Sequence, residues 1–416
     1  MRILMLADFY PPHIGGAEIH VQTLARELVR RGHHVAIATQ PHHDAPAYED
    51  DGGVLVYRVA GWNRVLAPFY QDQAQQFHPP APDPGIVAAL RRVVEKERPD
   101  VVHAHGWIVH SFLPLKKWSG AKLVMTLHDY GLICAKKTLF RDDQLCEGPE
   151  YRKCLRCSSA HYGTAKAVLL TTALKMNGPL HRSVDRYLAV SSAVRDALLD
   201  GTGRPGLPVE VVPNFIPGRV LDDVADRPAA LPAEDNYILY VGRSSREKGV
   251  ETLLDAYAGL ADLAPLVMMV SAYGDTLSEI PSGVTVMRSV PHAQVMAGWQ
   301  HCAVGVVPSL WPDPCPTVAM EAMICGKPLV ASNVGGLRDI VADNETGLLV
   351  PPGNADILQR GLRDLLLNPA RRATMGAKSR QRVQSFMVGK VADRIEQIYE
   401  EVQNRDPQPK DHVYVK

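Results

Sequence analysis

Short apolar runs alternate along the chain with segments in which apolar residues recur every three or four positions. The first run, Ile3–Ala7, ends at Asp8 and predicts a buried strand. Ala17–Arg31 then predicts an amphipathic helix that Gly32 ends. The alternation continues to an apolar run at Val209–Val212. Because strands that alternate with helices are joined by crossover connections, the pattern predicts a doubly wound parallel sheet.

A second series of strands and helices follows a break in the pattern. The break, Pro217–Asn236, is rich in Pro, Ala and Asp and is typical of an interdomain linker. We therefore predict two tandem doubly wound domains, residues 1–216 and 217–386, with a ligand in the cleft between them. Residues 387–405 predict a helix long enough to return to the first domain, and the charged residues 406–416 predict a flexible tail.

Composition narrows the class of protein. In 416 residues, 45 Lys and Arg balance 45 Asp and Glu, which argues against a nucleic-acid partner because such binding usually needs a basic face. No stretch approaches the roughly 20 apolar residues of a membrane span. The first apolar run is too short for the core of a signal peptide. We therefore expect a globular enzyme of the cytoplasm.

Two loops are typical of anion binding. Gly15 and Gly16 precede the first predicted helix, where backbone N–H groups and the helix dipole favour negative charge. The alternative there is a tight turn without a ligand, since the G-x-G-x-x-G dinucleotide fingerprint is absent from this loop. Arg243 and Lys248 follow the strand that ends at Val241, and both suit a diphosphate. Loop cations are commonly just solvated, so this pair matters only if it faces the glycine loop across a cleft.

Two carboxylates lie in the segment Pro308–Met323. Asp313 precedes a predicted helix, and Glu321 lies eight residues later among apolar residues. Burying a lone charge is costly, so Glu321 needs a partner. Sugar or ribose hydroxyls suit it because a carboxylate accepts two hydrogen bonds. The alternatives are a buried ion pair with a neighbouring Arg or Lys, or a two-carboxylate hydrolase.

Further polar residues lie at predicted strand ends. His103 and His105 close one strand and His128 closes the next; we assign His103 a structural role. Gly335 and Gly336 could add backbone donors beside the same cleft. The sequence contains no D-x-D pair that would hold a divalent ion against a sugar nucleotide. Cationic side chains and helix ends must then stabilise any leaving diphosphate.

In this order the motifs resemble the retaining glycosyltransferases of family 4, which have the GT-B fold. The strongest match is the family's Glu-x7-Glu signature, which stands here as Asp313-x7-Glu321 in PSLWPDPCPTVAMEAMICGKPLVAS. The stretches VGRSSREKG, SNVGGLRDIV, LHDY and VPNFI support it. The resemblance covers nearly the whole chain. It implies that the first Rossmann-like domain binds the acceptor and the second binds a nucleotide sugar.

The resemblance also implies roles for single residues. The backbone of Gly16 would meet the donor diphosphate, Glu321 would hold the ribose, and His128 would lie near the anomeric centre. The residues expected at the donor are Gly15, Gly16, Arg243, Lys248, Val290, Asp313, Pro316, Thr317 and Glu321. The residues expected to act in catalysis are His128, Arg243, Lys248 and Asp313. Because Asp313 replaces the family's usual Glu, the contact with the donor sugar is expected to differ.

The implied reaction moves a sugar from a UDP- or GDP-sugar to a hydroxyl of a glycan, a lipid-linked glycan or a small metabolite. The anomeric configuration is retained by a front-face route, and catalysis needs no cofactor. The alternatives are an inactive regulatory relative that binds nucleotide sugars, and a phosphorylase or epimerase on the same fold. A lipid-linked acceptor would imply peripheral membrane contact. The apolar segment Ala165–Met176 predicts a helix, which we assign to the core rather than to such contact.

Four of the seven cysteines crowd into an expected insertion at about residues 130–160: Cys134, Cys146, Cys154 and Cys157. The C-x2-C end has the spacing of a metal knuckle, and four thiolates suit a closed tetrahedral zinc site. An iron–sulfur cluster is the less favoured occupant, and reduced thiols without a metal are the alternative. A metal here would be structural and would fold the insertion over the acceptor side of the cleft.

Overall fold

The computed structural model describes residues 1–13, 15–62, 78–218, 220–222, 225–271 and 280–404. The tail expected at 406–416 lies outside the described residues. No helix in the described ranges is long and apolar enough to cross a membrane.

The first sheet comprises eight described strands in the order β10-β9-β6-β5-β1-β2-β4-β3. Its strand neighbours are parallel except for β3 and β4, which are antiparallel. The elements of this part of the chain are β1 (Arg2–Ala7), α1 (Gly16–Arg30), β2 (His34–Thr39), β3 (Tyr48–Asp51), β4 (Val54–Arg58), α2 (Pro84–Glu97), β5 (Val101–Ala104), α3 (Val109–Phe112), α4 (Lys116–Ser119), β6 (Lys122–Leu127), β7 (Phe140–Arg141), β8 (Gln144–Leu145), α5 (Tyr151–Tyr162), α6 (Thr164–Lys175), α7 (Gly178–Ser183), β9 (Arg186–Ala189), α8 (Ser192–Thr202) and β10 (Val209–Val211).

The second sheet has six described strands, all parallel, in the order β13-β12-β11-β14-β15-β16. Its elements are β11 (Ile238–Gly242), α9 (Val250–Tyr257), β12 (Leu266–Val270), β13 (Val284–Arg288), α10 (His292–His301), β14 (Val304–Val307), α11 (Thr317–Ile324), β15 (Leu329–Ser332), α12 (Leu337–Ile340), β16 (Gly347–Val350), α13 (Ala355–Leu367), α14 (Pro369–Arg382) and α15 (Val388–Asn404). Between β10 and β11 the described residues form no helix or sheet strand. The predicted class, two doubly wound α/β domains, is confirmed.

Each sheet has one point at which its strand order reverses. In the first sheet this point lies between β1 and β5, and in the second between β11 and β14. Ligands of doubly wound sheets bind beyond the carboxyl ends of the strands at such points. The Gly15–Gly16 loop follows β1, the loop with Arg243 follows β11, and the Asp313 loop follows β14. The fold therefore places the predicted motifs where a ligand is expected.

Helix α15 returns to the first domain, as the sequence predicts. Ile395 and Tyr399 are buried among side chains of β1 and α1. At the surface, Arg31 at the end of α1 pairs with Asp393 at 2.8 Å and also with Glu396. The C-terminal helix thus stabilises the first domain although it follows the second in sequence.

One helix assignment from the sequence is wrong. The segment predicted as a core helix, Ala165–Met176, forms α6, but it buries only Ala167, Leu170 and Thr171. Leu169 and Met176 are exposed. Its apolar residues are spread around the helix instead of forming one stripe, so a single buried face cannot contain them. The helix instead packs mainly on α5, which the apolar pattern did not predict because α5 is rich in polar residues.

Candidate active site

The carboxyl edges of the two sheets are held against each other by hydrogen bonds. The Tyr130 hydroxyl, just beyond β6, donates to the carbonyl oxygen of Pro312 at 2.7 Å. The Asn214 side chain donates to the carbonyl oxygen of Cys315 at 3.1 Å. Both bonds cross from the first domain to the loop that carries Asp313. The Asp313 loop therefore lies where the two domains meet.

Lys248 and Asp313, predicted separately as donor residues, form an ion pair in which Asp313 is buried and Lys248 is partly buried. Lys248 Nζ lies 2.5 Å from Asp313 Oδ2 and 5.2 Å from the ring centroid of Trp311. The two loops are also joined by backbone, because the Glu247 carbonyl oxygen accepts hydrogen bonds from Leu310 N and Trp311 N. The ammonium has three donors, so pairing with Asp313 leaves others for a ligand. From the sequence alone, a buried ion pair with Arg or Lys is the alternative for Glu321. The structure instead pairs a lysine, Lys248, with Asp313.

A close contact between the backbone of Gly249 and that of Pro308 fixes the position of the turn that carries Lys248. Gly249, directly after Lys248, has φ +74°, and a Cβ there would lie 1.9 Å from the Pro308 carbonyl oxygen. Only glycine fits both the left-handed conformation and the contact. The turn is therefore packed directly on the end of β14, beside the segment that carries Asp313.

The side chain of Arg243 is more exposed to solvent than that of Lys248. Its guanidinium pairs with Glu247 at 3.2 Å, and its side chain is 40% exposed. An exposed pair of this kind contributes little to stability. The Arg243 side chain is therefore available to a ligand at the cost of a weak contact.

Glu321 lies on α11 with most of its surface buried. His292 Nε2 lies 3.2 Å from one of its carboxylate oxygens, and Trp299 Nε1 donates to the other at 3.4 Å. The hydrogen bond with Glu321 raises the pKa of His292 above its usual value. Both contacts come from α10. The buried Glu321 carboxylate, which needed a polar partner, therefore has two: the imidazole of His292 and the indole of Trp299. Each carboxylate oxygen keeps a lone pair for a further donor.

The Gly335–Gly336 turn supports the Asp313 loop. Gly335 has φ +57°, and a Cβ there would lie 2.3 Å from the Asp313 carbonyl oxygen. Gly336 N donates to the same oxygen at 2.8 Å. Asp339, at the end of this stretch, accepts hydrogen bonds from Ser192 N and Oγ at 2.6 and 2.7 Å. The turn thus links the loop to the first domain.

The glycine loop carries an unexpected carboxylate. Gly15 is the N-cap of α1 in extended backbone, and a Cβ on it would lie 2.3 Å from the Glu18 carboxylate, whereas a Cβ on Gly16 would meet nothing within 4 Å. Burial raises the pKa of Glu18. The predicted anion site at the helix start is therefore faced by an internal carboxylate. A bound diphosphate would have to displace Glu18 from this position.

His128 lies in a cluster of buried imidazoles. Its Nε2 is 3.0 Å from His105 Nδ1, and the rings of His20 and His128 are 4.7 Å apart. Burial lowers the pKa of His128 to about 4. Burial also lowers the pKa values of His20 and His105 well below the usual range, with their neighbouring imidazoles adding to the effect. The cluster is therefore neutral near pH 7.

His103 has the structural role expected of it. Its two ring nitrogens hydrogen-bond to the Tyr399 hydroxyl and to Thr126 Oγ1, both at 2.7 Å. Burial lowers its pKa to about 3. The side chain joins β5 and β6 to α15 beneath the cleft.

The remaining predicted donor residues are partly covered. Pro316 is the N-cap of α11 and is buried, Thr317 begins the helix, and Val290 lies in the loop before α10, packed on the core. Backbone groups of Val290 lie just ahead of His292, which contacts Glu321. These residues thus frame one side of the site that Glu321 forms.

Several site residues escaped sequence analysis. His20 lies one turn into α1, and neither of its ring nitrogens has a hydrogen-bond partner among the described residues. Asp8 accepts from Trp107 N at 3.0 Å and from Ile108 N at 2.7 Å, which fixes the loop after β5. The position of Asp8 at the end of β1 was a signal that could have been read. His20 gave none, because an isolated histidine in a helix is common.

Two doubly wound domains that meet along the carboxyl edges of their sheets have the GT-B architecture. A family model described as Glycosyltransferase Family 4 matches residues 14–217, and one described as Glycosyl transferases group 1 matches residues 223–382. Glycogen synthase of Mycobacterium tuberculosis is 28% identical over 99% of this chain and 97% of its own. The chain belongs to the family 4 glycosyltransferases, enzymes that act on nucleotide sugars.

Solved structures share the architecture. Sucrose-phosphate synthase from Thermosynechococcus elongatus has a TM-score of 0.71 at 22% identity, over 97% of this chain and 99% of that one. Anabaena HepE in complex with UDP and glucose has a TM-score of 0.64 at 19% identity, over 96% and 99%. At these identities the likeness establishes the fold.

Proposed function

We propose that the protein transfers a sugar from a UDP- or GDP-sugar to a hydroxyl acceptor with retention of anomeric configuration. The observation that carries this proposal is that Arg243 and Lys248 follow the carboxyl end of β11 while Asp313, paired with Lys248, and Glu321 follow that of β14. Two cations suit a diphosphate, and a buried carboxylate with spare lone pairs suits ribose hydroxyls. The complex of Anabaena HepE with UDP and glucose supports a UDP-sugar as the first donor to try.

Charge stabilisation is the central requirement of this reaction. As the bond to the donor sugar breaks, negative charge grows on the departing diphosphate, and fixed cations in a sheltered site lower the barrier. Lys248 is held by Asp313 and Trp311 before any ligand arrives, so it needs little rearrangement. In a front-face route the departing phosphate takes the acceptor's proton. The neutral His128 would hydrogen-bond a sugar hydroxyl near the anomeric centre by exchanging its contact with His105 or Asn214.

Asp313 has two duties in this proposal. Its carboxylate holds Lys248, and its free oxygen and the following backbone hold hydroxyls of the donor sugar. A glutamate would reach one methylene further from the same backbone. The shorter side chain therefore favours the lysine contact, and we expect the sugar to be held largely by backbone groups between Asp313 and Thr317.

The acceptor is bound by the first domain, on the side of the cleft formed by the loops after β5 and β6. Its class is a hydroxyl of a glycan, a lipid-linked glycan or a small metabolite. The exposed Leu169 and Met176 of α6 support the lipid-linked class, with peripheral membrane contact, for an enzyme acting in the cytoplasm.

A donor screen with product analysis tests the proposal. The purified chain is incubated with UDP-, GDP- and dTDP-sugars, thermal shift identifies the donor, and proton NMR of the product reports the anomeric coupling. We expect one donor to raise the melting temperature and the product to keep the donor's configuration. Binding without turnover against any acceptor would favour an inactive regulatory relative. Consumption of inorganic phosphate would favour a phosphorylase, and an epimerised nucleotide sugar without transfer would favour an epimerase.

A further inference from the structure

Four cysteines of the segment between β6 and α6 line one small cavity. Cys134 follows the turn after β6, Cys146 follows the β7–β8 hairpin, and Cys154 and Cys157 lie one turn apart on α5. All four side chains border the same space of about 30 Å³. All four are free, partly buried thiols. The chain thus brings four soft ligands from three short elements to one place.

Residues 130–135 are packed into the core, but residues 140–162 have little of the hydrophobic packing that usually fixes such elements. Helix α5 buries only Ser158, and the strands of the hairpin are two residues long. The small cluster beneath it has three fully buried members, Trp107, Ala135 and Leu170. Short hairpins are marginal by themselves in water, and small units without a core commonly rely on disulfides or metals.

The backbone around the cysteines also takes left-handed conformations, which at Asp142 and Asp143 form the two-residue turn of the β7–β8 hairpin and at Lys137 and Leu139 are strained. Four residues other than glycine have a positive φ between Cys134 and Cys146, in a range that bulky side chains rarely adopt. They are Lys137 (64°), Leu139 (49°), Asp142 (50°) and Asp143 (59°). Such conformations persist only where the surrounding structure fixes them. The sparse packing of this segment leaves that stabilisation to another interaction.

The electrostatic surroundings suit thiolates. Lys136, Arg141 and Lys153 line the same cavity as the sulfurs. Backbone N–H groups of Lys136, Thr138 and Leu139 donate towards the Cys134 sulfur. Backbone donors and nearby cations would compensate the net charge of four thiolates around a divalent ion. Such outer contacts are typical of structural metal sites.

We infer that Cys134, Cys146, Cys154 and Cys157 bind one Zn²⁺ as four thiolates. The balance is Zn²⁺ plus four thiols giving a doubly negative tetrahedral centre and four released protons. With Zn–S bonds of about 2.3 Å, the sulfurs would stand about 3.8 Å apart. Among the described residues no three of these sulfurs lie within 4.8 Å of one another. Binding therefore draws the hairpin and the start of α5 inward around the ion.

The site bears on the cleft through its hairpin. Asp143, at the hairpin turn, lies 3.0 Å from Arg246, which is in the same turn as Lys248. Lys137, between the first two cysteines, stacks over Trp107 at 4.3 Å. Cys154 also borders a larger cavity of about 340 Å³ between the insertion and α8. A bound ion would fix the insertion beside the donor loop, where an acceptor must enter.

Metal analysis of the full chain, purified without added metal, tests the inference directly. We expect about one zinc per chain, released when a mercurial reagent blocks the thiols. Cobalt exchanged into the site should give the strong d–d bands of a tetrahedral thiolate centre. Less than about 0.1 equivalent of zinc, with seven titratable thiols in the denatured chain, would overturn it. Iron with acid-labile sulfide would overturn zinc in favour of a cluster.

Variants localise the ion. Cys154→Ser and Cys157→Ser should each lower the zinc content at least tenfold, whereas Cys325→Ala, which removes a thiol outside the segment, should leave it unchanged. Hydrogen exchange of the wild-type chain provides a readout that needs no variant. Chelation should speed exchange in residues 134–162 and spare the second sheet. An unchanged exchange pattern after the ion is removed would contradict the structural role, whatever the donor screen gives.

Discussion

The two domains line the cleft with different kinds of ionisable side chain: neutral groups on the first-domain wall and charged groups on the second-domain wall. The first domain contributes His20, His105 and His128, which burial keeps neutral. The second contributes charged groups held by partners, Lys248 with Asp313 and Glu321 with His292 and Trp299. Under the proposed function, the first wall would bind hydroxyls and the second a charged leaving group. Substitutions on the two walls should therefore have different signatures.

The largest effect is expected on the charged wall at Lys248. Removing it alone leaves the buried Asp313 carboxylate unpaired, which destabilises the protein strongly. The double variant Lys248→Met with Asp313→Asn removes both charges together. We expect kcat to fall about 10²–10³-fold, the usual cost of losing a group that stabilises transition-state charge. Turnover and thermal melting are measured together, with Lys378→Met on α14 as the control for loss of an exposed lysine. Near-normal turnover of the double variant would contradict the claim that the charged wall stabilises the leaving group.

Glu321→Gln tests the second charged group at nearly constant shape. We expect the KM for the donor to rise about 10- to 100-fold, the range for a hydrogen bond to a charged acceptor. The pKa of His292, raised by Glu321, should also fall towards its usual range in NMR titration. The exposed Glu345→Gln is the matched control. A normal KM with a lowered His292 pKa would assign Glu321 to structure alone.

Arg243→Ala should have a smaller effect because this side chain is exposed and only weakly paired. We expect kcat/KM to fall about three- to tenfold, with the melting temperature unchanged. Added salt should shrink the difference between variant and wild type, because exposed charges are screened. Steady-state kinetics at low and high ionic strength measure this. A loss as large as that at Lys248, insensitive to salt, would contradict the exposed placement.

The buried, neutral histidines of the first-domain wall should make the stability of the protein depend on pH. Because burial lowers the pKa of His20, protons bind the unfolded chain more readily below about pH 6.5, and stability falls as pH falls. His20→Leu removes one such group, whose nitrogens have no partner in the described structure. We expect the variant to lose less melting temperature than wild type between pH 8 and pH 5.5. An identical pH slope would mean that His20 is solvated in solution.

The sequence predicted two successive doubly wound domains, the return of α15, the loops that carry Lys248 and Asp313, and the helix that carries Glu321. These features follow from the local pattern of apolar residues and from motif spacing. Both signals are local in sequence, so they can be read within a single strand, helix or loop. It could not predict which partners those residues meet. The Lys248–Asp313 pair joins two loops 65 residues apart, and the contact of Glu18 with the glycine loop depends on a side-chain rotamer. Nor could it predict the imidazole cluster, because His20 approaches His128 only once α1 packs on the sheet.

Calorimetric titration of the donor's nucleoside diphosphate and monophosphate is the decisive test of the charged wall. The titration compares the wild-type chain with the Lys248→Met, Asp313→Asn double variant. We predict that the variant loses at least about tenfold in diphosphate affinity while monophosphate affinity changes little, since Lys248 is proposed to neutralise the diphosphate and the monophosphate lacks its second phosphate. Equal diphosphate affinity in the two proteins, with both folded, would contradict the assignment of this cleft edge to the donor diphosphate.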